Sequence, residues 1–513
     1  MKKISVLLLS ILTFGISLTS CDMDTKPAAN ILADEYAKTP KDFNDLRVTL
    51  YAPLRGFFSG GIVSMPDVMT DNFNAVDGFS NAWGDIYRWQ FTSATGDFGG
   101  LFASAYSIIG HCNYILDSAA KLTDKELVNF SEKDLNRIKT IIGESYYIRS
   151  LMYFYMTQYY CEDYEENIAD TPDMGLPLQL TFNPTDNNAE YPARSTMRET
   201  YAQIELDLDS AATRIKRVSG EGWITEDCIT ALRARVALSK DDYAKAAEYA
   251  TELVDGGEYT LACDDDEIED MWHEGRGGDS EEFIFKLPIP SKEEMASANG
   301  TNFLPNLDGV STIVDYVPSG SLYDLYDEDD YRRDVYFKPY NIIAASGGSA
   351  RVKLFNKYPE ITSIYEEFKP NGRFQNEPVV FRIAEFYLIA AEAYARMGMV
   401  EKGAEYLNEL QENRIYDFQD RTYANADELM QEVKNERRRE YAVEGTRLID
   451  LKRWHDPIIR GDQVQDMSIC HFPGNKTTTN LYVPANDPRM TWPIPQQEID
   501  ANPKVKQNRG YLN

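Results

Sequence analysis

The sequence FRIAEFYLIAAEAYARMG, from Phe381 to Gly398, begins the segment that decides the fold. The small residues Ala391 and Gly403 lie 12 positions apart, and Leu410 follows 7 positions after the glycine. Small residues about one helix length apart allow two antiparallel helices to approach closely, as in the tetratricopeptide helix pair. The spacing therefore predicts two short helices that pack tightly against each other.

A second segment has the same spacing. Ala234, Ala246 and Leu253 are also separated by 12 and 7 positions. A tetratricopeptide solenoid usually needs about three or more repeats, so two recognisable copies are too few to form one. We therefore expect the two helix pairs to pack together into a larger, mostly α-helical scaffold.

Other local patterns predict further helices nearer the amino terminus. The capping boxes Thr123-x-x-Glu126 and Thr196-x-x-Glu199 predict two helix starts, because each pair satisfies backbone N–H groups of the first turn. The Gly- and aromatic-rich residues 56–100 are expected to form loops. Apolar residues at helical spacing predict helices over 41–54, 101–122 and 134–160.

Residues 260–375 interrupt the helical pattern with many Pro, Gly, Asp and Tyr residues. The run from Phe283 to Leu287 has the composition of a short strand. Long irregular insertions on a rigid scaffold frequently carry binding sites. The sequence thus predicts a mostly α fold, in which tetratricopeptide-like helix pairs form a scaffold and a large loop-rich insertion carries short strands.

The amino terminus has the plan of a bacterial lipoprotein signal. A basic start precedes an apolar run over residues 4–18, and Cys21 follows the sequence Leu-Thr-Ser. The run is too short to span a membrane, and the cysteine is placed as in the bacterial lipobox. We expect residues 1–20 to be a signal peptide, Cys21 to carry lipid chains such as palmitate, and residues 21–40 to form a spacer. The alternative is an ordinary cleaved signal with a chance cysteine.

The charge of the chain argues against some ligands. Asp and Glu number 83 against 52 Lys and Arg, which gives a formal net charge of −31. A surface this acidic repels phosphate backbones, so nucleic acid is excluded as a ligand. The same charge argues against adhesion to anionic lipid, which leaves a lipid anchor at Cys21 as the expected attachment to a membrane.

Five cysteines remain besides Cys21, and no two of them form a Cys-x-x-Cys pair. A disulfide scaffold would be denser in cysteine and shorter in length. We therefore expect buried free thiols, with a single disulfide as the alternative. The cysteines concerned are Cys112, Cys161, Cys228, Cys263 and Cys470.

No catalytic motif stands out. The sequence has no Gly-x-Ser-x-Gly elbow, no His-Glu-x-x-His and no phosphate loop, and its 4 histidines are widely scattered. A glycosidase needs only two suitably spaced carboxylates, so the residues alone leave this activity open. The acidic runs 264–270 and 324–330 lack the spacing of a calcium-binding EF-hand loop. We expect solvated loops there and no cofactor, with a structural calcium site as the alternative.

Three stretches together resemble the SusD/RagB family, the surface nutrient-binding lipoproteins of Bacteroidetes. They follow the family's order and, with weaker matches between them, cover nearly the whole chain after Cys21. The resemblance implies one compact body with a SusD-like helical region over 41–259 and a C-terminal region over 260–513. The stretches are FRIAEFYLIAAEAYARMG at 381–398, ERRREYAVEGTRLIDLKRW at 436–454 and WPIPQQEIDANP…QNRGY at 492–511.

The C-terminal region is expected to have three parts. These are the loop-rich insertion 260–375, helices within 380–455, and a tail over 456–513. The tail is rich in proline and is expected to wrap around the body, with Trp492 and Tyr511 holding it in place.

The resemblance also implies the function. Such a protein is lipid-anchored and surface-exposed on the outer membrane, binds oligosaccharide or polysaccharide without cleaving it, and delivers it to a SusC-like TonB-dependent transporter. A peptide-binding member of the same family, a surface glycoside hydrolase and a helical scaffold that binds only protein are the alternatives.

The second family stretch predicts a buried polar network. Glu440 lies four positions from both Glu436 and Glu444, which is unfavourable on a helix unless cations bridge the carboxylates. Arginines 437–439 are expected to do so, together with Arg382. We interpret these charges as a network that docks helices rather than as a catalytic site.

The segment 64–91 has the residue types that bind a sugar. Aromatic rings cover the C–H faces of a sugar, and Asp, Asn and Arg bond its hydroxyls. The alternative for Trp83 is a core position, because Phe79, Trp83 and Tyr87 recur every four residues. The candidate ligand-binding residues are Asp67, Asp71, Asn72, Trp83, Arg88 and, in an acidic loop further along the chain, Trp272.

Overall fold

A computed structural model of the protein shows a largely helical body. Residues 1–36, which include the predicted signal and Cys21, lie outside the described residues. The structure describes residues 37–185, 187–216, 222–273, 280–289, 306–307, 312–344, 347–358, 376–461, 464–471 and 481–512.

Helices make up most of the described chain. In the amino-terminal half they are α1 (Pro40–Phe58), α2 (Gly61–Val68), α3 (Gly84–Tyr87), α4 (Gly96–Ala120), α5 (Asp124–Leu127), α6 (Glu132–Tyr160), α7 (Met197–Ala212), α8 (Glu226–Ser239) and α9 (Tyr243–Asp255). Further along they are α10 (Asp265–His273), α11 (Gly320–Tyr323), α12 (Tyr331–Tyr336), α13 (Ala384–Arg396), α14 (Val400–Glu412), α15 (Ala426–Glu440), α16 (Arg447–Arg453) and α17 (Gln496–Ala501).

The strands are short and form small separate sheets. Antiparallel pairs join β1 to β5, β2 to β8 and β9 to β10, and a further sheet has the order β3-β4-β6-β7. Their bounds are β1 (Phe73–Ala75), β2 (Phe283–Lys286), β3 (Asn306–Leu307), β4 (Thr312–Ile313), β5 (Tyr316–Pro318), β6 (Phe337–Ile343), β7 (Ser349–Phe355), β8 (Val379–Arg382), β9 (Ile458–Arg460) and β10 (Leu481–Val483). The mostly α prediction with short strands in the insertion is confirmed.

Both predicted capping boxes form. The hydroxyl of Thr123 accepts from the backbone N–H of Glu126, and the hydroxyl of Thr196 accepts from that of Glu199. In each box the glutamate carboxylate in turn accepts a hydrogen bond from the backbone N–H of the threonine. The helix after Thr196 ends at Ala212.

The prediction that residues 56–100 form only loops is wrong. Helix α2 lies within this segment although it begins with Gly61 and contains Pro66. Its side chains Ile62, Met65 and Val68 are buried, so tertiary packing outweighs the low helix propensity of glycine and proline. This helix positions the loop that carries most of the candidate ligand residues.

The two predicted helix pairs are confirmed as α8–α9 and α13–α14, and α9 packs against α13 to join them. Gly403 of α14 lies at a close contact with α13. A Cβ atom there would lie 2.8 Å from the carbonyl oxygen of Ala391 and 2.8 Å from a methyl group of Leu429. The small residue is therefore required by the distance between the helices.

The insertion contains more helix than expected. The acidic run 264–270 was predicted to be a solvated loop, but α10 begins at Asp265 within it. Ile268, Met271 and Trp272 on this helix are buried, because they form one apolar face at helical spacing. The strand-like run at Phe283 forms β2, as predicted.

In the described part of the tail, Trp492 packs against the body, and Tyr511 bonds to the segment next to Trp492. The ring of Trp492 is fully buried and stacks on Tyr159 of α6, with ring centroids 4.3 Å apart. The hydroxyl of Tyr511 donates to the backbone oxygen of Thr491 at 3.0 Å. Trp492 is thus part of the core of the protein.

The five cysteines that the structure describes are free thiols. Cys112, Cys161, Cys228 and Cys470 are buried, as expected, while Cys263 is exposed. Within the described part of the chain, none of the helices has the length and apolar character needed to cross a bilayer.

Candidate functional site

Glu440 on α15 is the centre of a buried ionic network. Its carboxylate accepts from Nη1 of Arg332 at 2.6 Å and from Nε of Arg414 at 3.1 Å, and it also pairs with Arg382. All four side chains are at most 1% exposed. The network therefore joins α12, β8 and the end of α14 to α15, as the prediction of a helix-docking network required.

The identity of the bridging arginines differs from the prediction. Arg382 forms ion pairs with Glu440 and Glu444. The ion pairs of arginines 437–439 in the described structure are made with other carboxylates. Consecutive residues on a helix point about 100° apart, so these three side chains reach different neighbours. Of these three arginines, Arg439 pairs with a carboxylate of the predicted network, Glu436, at 2.7 Å.

The arginines keep the buried carboxylates charged. Burial alone would raise the pKa of Glu440, but the charges of Arg414, Arg382 and Arg332 hold it well below its ordinary value. In the same way, Arg332 and Arg439 overcome burial and lower the pKa of Glu436 to about 2. Both groups are permanently charged and out of reach of a surface ligand, which fits a structural role.

Three predicted ligand residues, Asp67, Asp71 and Asn72, lie at the end of α2 and are also buried. The carboxylate of Asp71 accepts from Nε and Nη2 of Arg447 at 2.9 Å and 2.8 Å. The side-chain oxygen of Asn72 accepts from Nε of Arg438 at 2.8 Å. These groups fasten the early loop to α15 and α16, and a role in contacting a surface ligand does not fit their positions.

Asp67 has no exposed surface at all. Its carboxylate accepts from the side chain of Asn72 and from the backbone N–H of Val443 at 3.3 Å. Desolvation outweighs these bonds and raises the pKa of Asp67 to about 6, whereas the charges of Arg438 and Arg447 overcome burial and hold the pKa of Asp71 well below its ordinary value. Two neighbouring carboxyls thus differ because only one faces a cation directly.

Trp272, the remaining candidate from the insertion, is 1% exposed. The ammonium of Lys357 lies 4.8 Å from its ring centroid, and Tyr358 packs edge-on against it at 5.3 Å. The indole therefore belongs to the interior beside the ionic network. The acidic residues around Trp272 favour a surface position, but the apolar face of α10 places its indole in the interior.

Trp83 and Arg88 are the two candidates that reach the surface. Trp83 is half-buried, precedes the single turn α3 in a left-handed conformation with φ of 54°, and its Nε1 donates to Asp97 at 3.2 Å. The guanidinium of Arg88 donates to Asn81 at 2.9 Å and to Asp85 at 3.0 Å. The single turn α3 therefore has an indole at its start and a guanidinium at its end.

Two further residues, which were not among the predicted ligand residues, lie in the same region as Arg88. The rings of Phe79 and His471 meet edge to face with centroids 4.9 Å apart, although His471 comes from the tail. Burial lowers the pKa of His471, and the nearby charge of Arg88 lowers it further. Nothing in the local sequence pattern connects residues so far apart in the chain. We call Phe79, Asn81, Trp83, Asp85, Arg88 and His471 the aromatic loop surface.

The alternative prediction, that Phe79, Trp83 and Tyr87 are core residues, holds for one of the three. Tyr87 is fully buried, but Phe79 and Trp83 are half-buried. Helix α3 spans only Gly84–Tyr87, so the three aromatic residues do not share a helix face. Trp83 packs its inner side against the core while part of the residue remains exposed.

The aromatic loop surface has the chemistry of a sugar-binding site. Half-buried rings provide apolar faces, and an amide, a carboxylate and a guanidinium next to them provide donors and acceptors. Because Arg88 is already held by Asn81 and Asp85, its donors are oriented before a ligand arrives.

One cluster of possible metal ligands occurs in the described residues. Cys263, Asp264 and Glu267 have ligand atoms within 4.8 Å of one another, and all three residues are exposed. Calcium usually takes six to eight oxygen ligands, and this group supplies only two carboxylates and a thiol.

Comparisons with known proteins give consistent matches. A sequence model described as the SusD family matches residues 345–511, and a second, described as "Starch-binding associating with outer membrane", matches residues 61–237. A SusD-like protein of Formosa agariphila is 20% identical over 554 aligned positions, covering 99% of each chain.

Solved structures share the fold. A SusD superfamily protein from Bacteroides thetaiotaomicron has a TM-score of 0.74 and 22% identity, covering 92% of this chain and 99% of its own. A putative sugar binding protein from Bacteroides vulgatus has a TM-score of 0.74 and 24% identity with the same coverage. A SusD-like carbohydrate binding protein from Bacteroides vulgatus has a TM-score of 0.71 and 18% identity, covering 93% and 98%.

Proposed function

Because the chain belongs to the SusD/RagB family, we propose that it is a non-catalytic surface lipoprotein that binds oligosaccharide or polysaccharide nutrients. It delivers them to a SusC-like TonB-dependent transporter in the outer membrane. The observation that carries the proposal is the half-buried ring of Trp83 in the same short loop as Arg88, whose guanidinium is held by Asn81 and Asp85.

The known relatives support a carbohydrate ligand. One matching family model is described as starch-binding and as associating with the outer membrane. Two similar solved structures are described as sugar or carbohydrate binding proteins. The lipid anchor rests on the sequence around Cys21, and the transporter partner rests on the family alone.

The electrostatics of the candidate region favour binding over cleavage. A glycosidase needs a carboxyl of raised pKa that touches the glycosidic oxygen. In this region Asp67 has such a raised pKa, about 6, but it has no exposure and is hydrogen-bonded inside the protein. Asp85, which is exposed, is engaged with Arg88.

Calorimetric titration of the mature protein with a panel of neutral and acidic oligosaccharides tests the proposal. We expect at least one glycan to bind, and Trp83→Ala to weaken it roughly three- to tenfold through loss of the ring contact. Trp83→Phe retains an aromatic face and should give an intermediate affinity. Tyr416→Ala removes a tyrosine that is 66% exposed on another loop and serves as the matched control.

Several outcomes would overturn the proposal. Binding of peptides but of no glycan would assign the protein to the peptide-binding branch. New reducing ends released from a polysaccharide at an enzyme-like rate would identify a hydrolase. Glycan affinity that is unchanged in Trp83→Ala would place the binding site elsewhere on the molecule.

A further inference from the structure

The aromatic loop surface and its immediate neighbours carry more acidic than basic side chains. Asp85 lies in the single turn α3, and its side chain is 63% exposed. Asp97, in the first turn of α4, is exposed and accepts from Nε1 of Trp83 at 3.2 Å. Asp77 is half-buried, and its charge acts on the imidazole of His471. A ligand at the Nε1 edge of the indole therefore meets a carboxylate.

The guanidinium of Arg88, the permanent cation of the aromatic loop surface, is already paired. Its side chain is 17% exposed, and Nη2 donates to both Asn81 and Asp85. A Cβ atom at Gly84 would lie 2.0 Å from Oδ1 of Asn81 and 2.9 Å from Nη1 of Arg88, so the guanidinium folds down over the turn. A second anion on this guanidinium would lie close to the carboxylate of Asp85, whereas a sugar hydroxyl accepts from it without that repulsion.

Two other features change this balance only slightly. Burial lowers the pKa of His471, and the charge of Arg88 lowers it further, so the imidazole is mainly uncharged at neutral pH. The amino-terminal end of α4 contributes about half a positive charge near Asp97. Neither feature provides a full cation for an acidic ligand.

Two buried charges beneath the surface have opposite signs. Asp315 accepts from the backbone N–H and the hydroxyl of Ser80, and the guanidinium of Arg460 lies 3.6 Å from the ring centroid of Tyr87. Both charged residues are at most 8% exposed. Because these two charges offset each other, the field at the aromatic loop surface is set by its own carboxylates and is negative.

We propose that the aromatic loop surface selects uncharged glycans and discriminates against glycans that carry carboxylate or sulfate groups. Asp97 determines this specificity because it is bonded to the indole on which a sugar would lie. Asp85 contributes because it already occupies the guanidinium of Arg88. This inference rests on the proposed function and names the class of glycan that the site takes.

The size of the discrimination follows from Coulomb's law. Two like charges about 6 Å apart in a water-like medium reduce affinity roughly threefold, so two such pairs reduce it roughly tenfold. Salt screens charges at a surface, so the discrimination should shrink at high ionic strength. A steric effect would not depend on salt in this way.

The test uses one glycan chain in two charge states. The neutral oligosaccharide that binds in the panel titration is oxidised at its primary hydroxyls to carboxylates, and the matched uronamide has nearly the same shape without the charge. Calorimetry at pH 7 and low salt should show that the carboxylate form binds roughly tenfold more weakly than the uronamide. At about 0.5 M salt the ratio of the two affinities should fall below roughly threefold.

Two variants locate the source of the discrimination. Asp97→Asn keeps an oxygen that can accept from Nε1 of Trp83 but removes the charge, and it should lower the ratio of uronamide to carboxylate affinity roughly threefold. Asp85→Asn should lower the ratio in the same direction. Asp209→Asn is the matched control, since Asp209 is a 71% exposed carboxylate on α7 that pairs with Arg233, and it should not change the ratio.

The proposal is overturned if a carboxylated or sulfated glycan binds as tightly as its uncharged counterpart or more tightly. A ratio that is the same in Asp97→Asn and Asp85→Asn as in the wild type would overturn it as well. Either result leaves glycan binding itself in place. Binding of no glycan in the panel would instead refute the proposed function, and this inference with it.

Discussion

The carboxylate of Asp71 accepts two hydrogen bonds from the guanidinium of Arg447, at 2.9 Å and 2.8 Å, although the two residues lie 376 positions apart. Arg438 adds a third contact at 3.3 Å. This pair fastens the loop after α2 to the first turn of α16. The part of the aromatic loop surface from Phe79 to Arg88 follows soon after Asp71 in the chain, so this long-range bond helps to fix where it begins.

Asp71→Asn should destabilise the protein by roughly 3–5 kcal/mol, because it leaves two buried guanidinium groups without their counter-charge. Asp85→Asn is the matched control, since Asp85 is an exposed aspartate that also pairs with an arginine. It should change stability by no more than about 0.5 kcal/mol. Urea denaturation at pH 7 measures both, and similar values for the two variants would contradict the structural role of Asp71.

Asp67 predicts a specific pH dependence. Its pKa is about 6 in the folded protein and near the ordinary aspartate value of 3.8 in the unfolded chain. The folded state therefore binds more protons between these values, and stability falls as pH rises through this window. The penalty at pH 7 is about 2–3 kcal/mol, because each unit of pKa difference corresponds to about 1.4 kcal/mol.

Asp67→Asn removes this titration while it keeps an oxygen that can accept from Val443. We expect the free energy of unfolding of the variant, relative to the wild type, to increase between pH 4 and pH 7 by about 2 kcal/mol. Denaturation curves at several pH values give the difference. A difference that does not change with pH would show that Asp67 is charged throughout the window.

Glu440→Gln should destabilise the protein by at least about 3–5 kcal/mol, because Arg332, Arg382 and Arg414 lose a shared buried counter-charge. Glu405→Gln is the control. Glu405 pairs with Lys402 on the surface and its side chain is 65% exposed, so its loss should cost less than about 0.5 kcal/mol. A mild effect of Glu440→Gln would mean that the network contributes little to the docking of its helices.

Gly403→Ala and Gly110→Ala should have opposite effects although both glycines are helical. A Cβ at Gly403 would lie 2.8 Å from a backbone oxygen, whereas a Cβ at Gly110 would meet no atom within 4 Å. We expect Gly403→Ala to cost about 1–3 kcal/mol by overpacking. Gly110→Ala should stabilise the protein by up to about 1 kcal/mol, because alanine has the higher helix propensity. Equal thermal shifts would show that α13 and α14 are not closely packed.

Local patterns predicted a large part of the fold because they act over short distances. Thr123 and Thr196 cap their helices through bonds three residues away, and the spacing of Ala391 and Gly403 follows directly from the contact of two adjacent helices. Helix α2 was missed because Gly61 and Pro66 lower its propensity, and only the burial of its side chains compensates for them.

The candidate site was less predictable. The polar, aromatic composition of the segment predicted a surface position, which Trp83 and Arg88 have, yet the same composition also selected the buried residues Asp67, Asp71 and Asn72. Their burial depends on Arg438 and Arg447, which arrive from the other end of the chain. His471 could not be associated with Phe79 from any local signal.

The amino-acid sequence by itself determined the mostly helical class and the two helix pairs, since apolar periodicity, caps and small residues express local or nearest-neighbour contacts. Only the tertiary structure decided which charged residues are buried and which arginine pairs with which carboxylate. A charge becomes stable inside a protein only when a counter-charge from a distant segment is brought to hydrogen-bonding distance, and that meeting is a property of the complete fold.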